Sequence, residues 1–537
     1  MASNTEQQRA ALEAYQEAEW LAHRSGLSLD DIVNVTAKFW DVWSNPAVVR
    51  NGAATNLFCI QYNLVLGTLG PLVDFRPELK RIVDDLLTYK AIGQFCLTEV
   101  GHGLDAARLE TIATPTREGK FLLSTPNANA AKYMSPTVPV LGKPCYAIVF
   151  ARLVVDGTDN GIKAFLVQLN DGHTMSPGII CKRLPYRGNA APLNHSITSF
   201  HQVLLPADSL LSDPRAPKIP RIDFLLSIWR VAVGTLSVGI MAIPALQIAA
   251  YITYKYSLRR KVSTPSGSSV SIFSFRTQQL PIFYAVAQAF VFKAFSKFAT
   301  TQFSNKELDF RVRHGIATCF KTVTIKAALT GQESLSERCG VQGLFNYNHT
   351  SLFHANTRGV AIAEGDILVL CIRLASELIQ GRYSLPGYKH GGLLAKHADG
   401  LLTTYQNIWQ GKGRRAHPDF SNMILPQAQT LVSAIGHSMA YNAAVKAGVD
   451  QKLLDLYECA VIREDLAWFV GEKLVSYYSF QEQENRAITA AQSGIDGWIN
   501  GMKVSEAVNV PIVDDAKWAE FVDGLQKAPR YVAQARL

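Results

Sequence analysis

Two textures alternate along this chain. In AEWLAHRSGLSLDDIVNVTAKFWDVW (18–43) and PELKRIVDDLLTYKAIG (77–93), apolar residues recur at the spacing of one helix face. Residues 1–92 therefore read as an N-terminal helical domain. From 93 to 215 the texture changes. KFLLST, CYAIVFARLVV and KAFLVQL are short apolar runs bounded by NG, DG, PT and PN pairs, which predicts strands and turns in a middle β domain. Long helical patterns return at 222–258, 276–304, 308–336 and 364–382, with STPSGSSVS (263–271) as a loop between the first two. They predict a central helical bundle over 216–385. Residues 386–424 are rich in Gly, Pro and His and read as a connector, and 426–490 are helical again, placing a second helical domain over 386–537. No fixed-period repeat is visible. The predicted class is α+β, mostly α: helical domain, barrel-like β domain, four-helix bundle, helical domain.

Composition changes this picture little. The 537 residues are 48% hydrophobic and 18% charged, ordinary for a globular protein with a sizeable core. At about 100–200 residues per domain, the length predicts three to four domains. The net charge is +9, without the basic stripe and interleaved aromatics of a nucleic-acid binder. The densest basic patch, KYSLRRK (255–261), is either a solvated helix end or a phosphate clamp. Eight scattered cysteines form no CxxC pair and no metal spacing with histidine, which predicts free thiols in a reducing compartment and no metal. Residues 1–30 are polar and helix-like, unlike a signal peptide. VAVGTLSVGIMAIPALQIAAYITY (231–254) is uncharged and long enough to cross a bilayer. Its Gly234, Ser237, Gly239, Pro244 and Gln247, bracketed by Arg230 and Lys255, favour a buried core helix and no membrane span.

Candidate chemistry is local. HExxH, GxSxG and GxxxxGK[ST] are absent, and GHGLDA (101–106) lacks the third glycine of a dinucleotide fingerprint. In QFCLTEVGHGLDAARLET (94–111) a strand-like run meets Glu99, Gly101 and Gly103, glycines that suit a tight turn or the close approach of a ligand. In EGDILVL (364–370) Glu364 and Asp366 flank Gly365 between apolar runs. A carboxylate there is either a helix-start residue favoured by the dipole or a base whose proton affinity is raised by an apolar pocket.

Five segments in order resemble the acyl-CoA dehydrogenase and acyl-CoA oxidase superfamily, most of all the peroxisomal oxidases: FCLTEVGHGLD (95–105), AKYMSPT (131–137), RTQQLPIFYAVAQAF (276–290) with KYSLRRK before it, RCGVQG (338–343) and EGDILVL. The resemblance implies FAD as cofactor and Glu364 as the base that takes a proton from the α-carbon of an acyl thioester. It implies FAD contacts from Phe95, Leu97, Thr98, Tyr133, Ser135, Arg260, Gln278, Gln279, Gly340, Gly343 and Asp366, and substrate contacts from Gly103 and Leu104. An acyl-CoA or related thioester, O2 as electron acceptor and at least a homodimer follow from it. Ala535-Arg536-Leu537 fits the relaxed Ser-Lys-Leu peroxisomal address, and a peroxisome suits a peroxide-releasing oxidase.

The departures shape the alternatives. The oxidases' RRQF is Arg260-Lys261-Val262-Ser263 here, and their GGHGY is Val341-Gln342-Gly343-Leu344. Their WWPGG is Tyr133-Met134-Ser135-Pro136-Thr137; Ile367 or Leu368 stands where Asn or Thr is usual. Leu104 replaces a small polar residue of the dehydrogenases. A tailoring desaturase or dehydrogenase on an unusual acyl or non-CoA substrate is the first alternative. An inert flavoprotein that binds partners or nucleic acid is the second; the retained Glu364 speaks against it.

Overall fold

The computed structural model describes residues 4–188, 190–388, 391–410 and 418–528. The N-terminal helices, from Asn4–Ser25 to Lys80–Leu87, bury their apolar stripes as Tyr15, Phe39, Trp43, Phe58 and Leu86. One of them departs from regular geometry: Gly52–Phe58 runs into a π-helical stretch, Cys59–Val65. Such stretches are rare and collect at functional sites.

The β domain is built on β5 (Cys145–Val155). One of its edges pairs in parallel with β1 (Ile92–Cys96) and then, further along, with β2 (Ile112–Pro115); the other pairs with antiparallel β6 (Thr158–Asn170). β3 (Phe121–Ser124) and β9 (Val203–Leu205) extend the sheet beyond β2. A second sheet orders β4 (Lys132–Tyr133), β8 (Ser196–Phe200) and β7 (Ile179–Arg183). The continuous apolar run of β5 reflects burial on both faces.

A buried ion pair ties β1 to these layers. The Lys132 Nζ lies 2.9 Å from Glu99 Oε1, and both side chains are wholly inaccessible. Glu99 also accepts from the backbone N–H groups of Glu110 and Thr111 and from the Thr111 hydroxyl, while Lys132 donates to the Phe150 carbonyl. Glu99 is thus a structural residue, and the turn that follows it is held from below.

Helices Trp229–Arg259, Arg276–Ser304 and Phe310–Arg338 pack on one another, with Thr350–Ile362 and Ile367–Ile379 against the third. The apolar 231–254 run lies within the first. Two helices are long and apolar enough to cross a membrane, but most of each apolar window is buried inside the protein, so core packing accounts for their composition. The eight cysteines are free thiols.

Three boundaries differ from the sequence reading. The pattern at 222–258 is two helices, Pro220–Ser227 and Trp229–Arg259, broken at Ile228. The stretch 263–271 ends in a hairpin of β10 (Lys261–Ser263) and β11 (Ser269–Ser271). The supposed connector contains a helix, Leu393–Gln410, buried through Leu394, Ala395, Ala398 and Leu401; the Gly-rich flank masked that helical spacing. Residues 535–537, with the proposed address, lie outside the described residues.

Candidate active site

The pattern 364–382 predicts that Glu364 opens a helix, but that helix is Ile367–Ile379 and Asp366 caps it, accepting from Val369 N–H. Glu364 lies in the tight loop that links it to Thr350–Ile362. Glu364 and Gly365 are both left-handed, with φ of 56° and 91°. For a glutamate that conformation costs about 1–2 kcal/mol, so the surroundings must hold it. They do so through the backbone. The Thr235 hydroxyl donates to the Glu364 carbonyl at 2.7 Å, and Lys321 Nζ donates to the Ala363 and Gly365 carbonyls, each at 2.6 Å.

The carboxylate turns into a crowded interior. Its Oε1 accepts from the Cys59 thiol at 3.6 Å, and its Oε2 is buried without a partner. A Cβ on Gly234 would fall 2.3 Å from Oε2, so only glycine leaves room for the carboxylate beside the Trp229–Arg259 helix. Arg230 is also buried. It donates to the carbonyls of Asn63 and Ile32, and a Cβ on Gly67 would fall 2.0 Å from its Nε. Burial pushes the Glu364 carboxyl up to about 7, and Lys321, the Cys59 thiol and Arg230 keep it from rising further. A carboxyl tuned to neutral pH with one free buried oxygen is suited to take a proton. Burial brings Lys321 down to about 8 and Arg230 to about 10.

A cavity of about 640 Å³ begins at Thr235 and Gly365, beside this loop. Leu104, Phe224, Trp229 and Leu370 are among its apolar walls. Arg373 and His314 supply polar lining, joined Nη1 to Nδ1 at 2.9 Å. Burial and the facing Arg373 hold His314 neutral. Leu104, expected at the substrate, is left-handed (φ 65°), exposed, and lines this cavity, whereas Gly103 is an exposed turn residue.

The other expected residues fall into two groups. In the first, Tyr133 N–H donates to the Thr98 carbonyl and Ser135 Oγ to the Phe95 carbonyl, which locks the 133–135 segment onto the end of β1 beside Leu97. Thr98, Tyr133 and Met134 are exposed there. Sequence reasoning missed His195, which bonds the Met134 carbonyl through Nδ1 and leaves Nε2 buried without a partner. The second group lies around the far ends of the long helices. Arg260 is exposed just past Trp229–Arg259, and Gly340 is exposed and left-handed with open space around it. A Cβ on Gly343 would strike the Ser336 carbonyl, so that turn demands glycine. Gln278 donates to Ser257 Oγ and the Arg338 carbonyl, and Gln279 to the Phe273 carbonyl, contacts that occupy both amide nitrogens within the chain.

The family description "Acyl-CoA oxidase, C-alpha1 domain" matches residues 235–379, from Thr235 past Glu364 to the end of the capped helix. Over these residues the chain is similar to the acyl-CoA oxidases. It is 24% identical over 355 residues to acyl-coenzyme A oxidase 2, peroxisomal, of Arabidopsis thaliana, covering 60% of this chain and 50% of that one. It is 25% identical over 331 residues to human peroxisomal acyl-coenzyme A oxidase 3, covering 55% and 46%. The chain spans about half the length of these curated relatives. The fold agrees over far more of it. Acyl-CoA oxidase 1 of Yarrowia lipolytica superposes with a TM-score of 0.83 at 17% identity, covering 98% of this chain and 87% of that one. Acyl-CoA oxidase-1 of Caenorhabditis elegans, solved with FAD and ATP, gives 0.78 at 17%, covering 96% and 86%. The helical domains around a β domain expected from the sequence are thus the acyl-CoA oxidase fold.

The glycine beside Glu364, the expected base, yields a direct prediction. Gly234→Ala displaces the Glu364 carboxylate and lowers turnover by about 10²-fold, the effect of misplacing a reacting group by an ångström. The clash is with the end of a flexible side chain, and alanine favours the helix by about 1 kcal/mol. Thermal unfolding should therefore not fall with activity, and a large loss of melting temperature refutes the reading.

Proposed function

We propose that this chain oxidises an acyl-CoA-type thioester to its 2,3-unsaturated product, with FAD as cofactor and O2 as electron acceptor. The observation that carries this is the Glu364 carboxylate: buried, tuned to neutral pH, unpartnered at Oε2, and carried on a strained loop whose next residue, Gly365, lines a largely apolar cavity. The residues fit the cofactor. Tyr133 and Met134 are exposed next to Thr98, to whose carbonyl the Tyr133 N–H donates, and Arg260 and the open Gly340 turn suit a diphosphate-bearing arm. When bound there, FAD would supply the acceptor for the β-hydride and the route by which the two electrons reach O2 as H2O2.

The protein's part is proton transfer and exclusion of water. Glu364 takes the α-proton as the C–H electron pair becomes the new double bond. The Glu364 N–H, with no acceptor among the described residues, would polarise the thioester carbonyl and acidify that proton. Leu104, Phe224 and Trp229 line the cavity against which the acyl thioester would lie. FAD contacts across a homodimer and a peroxisomal location belong to the same proposal; the Arabidopsis and human relatives are named peroxisomal. A tailoring dehydrogenase on an unusual acyl group is the second reading, favoured by the Arg373–His314 pair in the lining of the cavity.

The test is anaerobic. The visible flavin band of the purified protein is recorded while a length series of acyl-CoAs is added, and peroxide is then measured on admitting air. Bleaching followed by peroxide supports the oxidase; bleaching with slow reoxidation supports the dehydrogenase; a yellow protein that no acyl-CoA bleaches refutes both on CoA substrates. Because Glu364 must be ionised to act and titrates near 7, the bleaching rate rises about tenfold per pH unit below that value and levels off above it. A rate flat across the neutral range removes Glu364 as the titrating base.

A further inference from the structure

The base is held by its backbone, and the group that holds it is a buried cation that the proposed chemistry does not use. Lys321 lies in the middle of Phe310–Arg338, wholly inaccessible. A lysine so placed is rare unless it is paired. Its ammonium reaches no carboxylate oxygen at bonding distance. It spends its donors on the carbonyls on either side of Glu364, each at 2.6 Å, while Thr235 takes the carbonyl of Glu364 itself. Three successive carbonyls are thereby drawn to the Phe310–Arg338 and Trp229–Arg259 helices, and the left-handed pair Glu364–Gly365 is held between them.

We propose that Lys321 is a positioning residue for Glu364: with Thr235 it clamps the strained loop, and its positive charge favours the ionised base. The inference rests on Glu364 being the base. Two contributions can be told apart because the two donors differ in charge. Thr235 supplies geometry alone, and Lys321 supplies geometry and charge. The groups that face Glu364 are Cys59 from the π-helical stretch, Arg230 from Trp229–Arg259 and Lys321 from Phe310–Arg338. Asp366 on the loop and Cys371 on Ile367–Ile379 face Lys321. Arg230 donates Nε and Nη1 to the Asn63 and Ile32 carbonyls and keeps a buried, unpartnered Nη2, so its charge acts on Glu364 in wild type and in the Lys321 variants alike.

The test uses the flavin-loaded protein and two readouts: the pH dependence of acyl-CoA bleaching, and amide hydrogen exchange over 363–369 without substrate. Lys321→Met is expected to slow bleaching by about 10–100-fold, move its pH midpoint up by about one unit and speed exchange in the loop. Lys321→Gln keeps a donor without the charge, so it moves the midpoint with a smaller change in exchange; it also serves if the methionine variant does not fold. Thr235→Val speeds exchange and slows bleaching with the midpoint unmoved. Wild-type midpoint and wild-type exchange in both Lys321 variants overturn the proposal, as does a midpoint shift of equal size in Thr235→Val. If Glu364 is not the base, Glu364→Gln bleaches at the wild-type rate; the exchange readout then still reports the clamp, and the two failures are distinct.

Discussion

Glu364→Gln lowers the rate of acyl-CoA-dependent flavin bleaching by about 10²–10⁴-fold, the range supplied by a positioned general base. The substitution is nearly isosteric and keeps an oxygen that can accept from the Cys59 thiol, so the loop should survive it. What disappears is the proton acceptor. Because burial disfavours the charged carboxylate, exchanging it for a neutral amide relieves desolvation, and the variant should unfold at no lower temperature than wild type. Flavin content and acyl-CoA affinity should persist, since no expected cofactor contact passes through the carboxylate. A variant that bleaches as fast as wild type moves the base elsewhere. One that also loses its flavin colour makes Glu364 a structural residue. The two readouts separate chemistry from folding in one protein preparation.

The largest effect on stability is expected at Glu99–Lys132. Glu99→Ala should destabilise the protein by about 3–5 kcal/mol, the cost of leaving a buried charge without its partner. It strands Lys132 and also the two N–H groups and one hydroxyl that Glu99 accepts from. Lys132→Met leaves Glu99 those three donors, so its penalty should be smaller. Urea unfolding followed by tryptophan fluorescence orders the two variants; equal midpoints refute the assignment of the extra cost to the stranded donors. Flavin retention should fall in step with the loss, because Lys132 and Tyr133 form β4 and Tyr133 is bonded to Thr98. The TEVGHG segment therefore owes its glutamate to structural support, although Thr98 beside it is an expected cofactor contact.

What the sequence by itself determined were the elements whose pattern is local. The helix at 276–304 and the strand at 145–155 were legible to the residue, because apolar periodicity and flanking turn residues act over one or two turns of chain. The resemblance carried by five short segments pointed to the acyl-CoA oxidases and to Glu364 as the expected base. Helix starts were less legible: a glutamate before a glycine reads as a helix start, and only backbone geometry shows that the cap is Asp366 and that Glu364 is left-handed. The surroundings of Glu364 were not legible at all. Lys321 binds a carbonyl 42 residues away, Thr235 one 129 away, and Cys59 meets a carboxylate 305 away. Arg230 read as the polar flank of an apolar run and is instead buried over Gly67. Which carbonyl a buried amine reaches, and which glycine leaves room for a side chain, depend on how helices from distant parts of the chain cross. Close packing sets those distances to tenths of an ångström, and only the tertiary structure decides them.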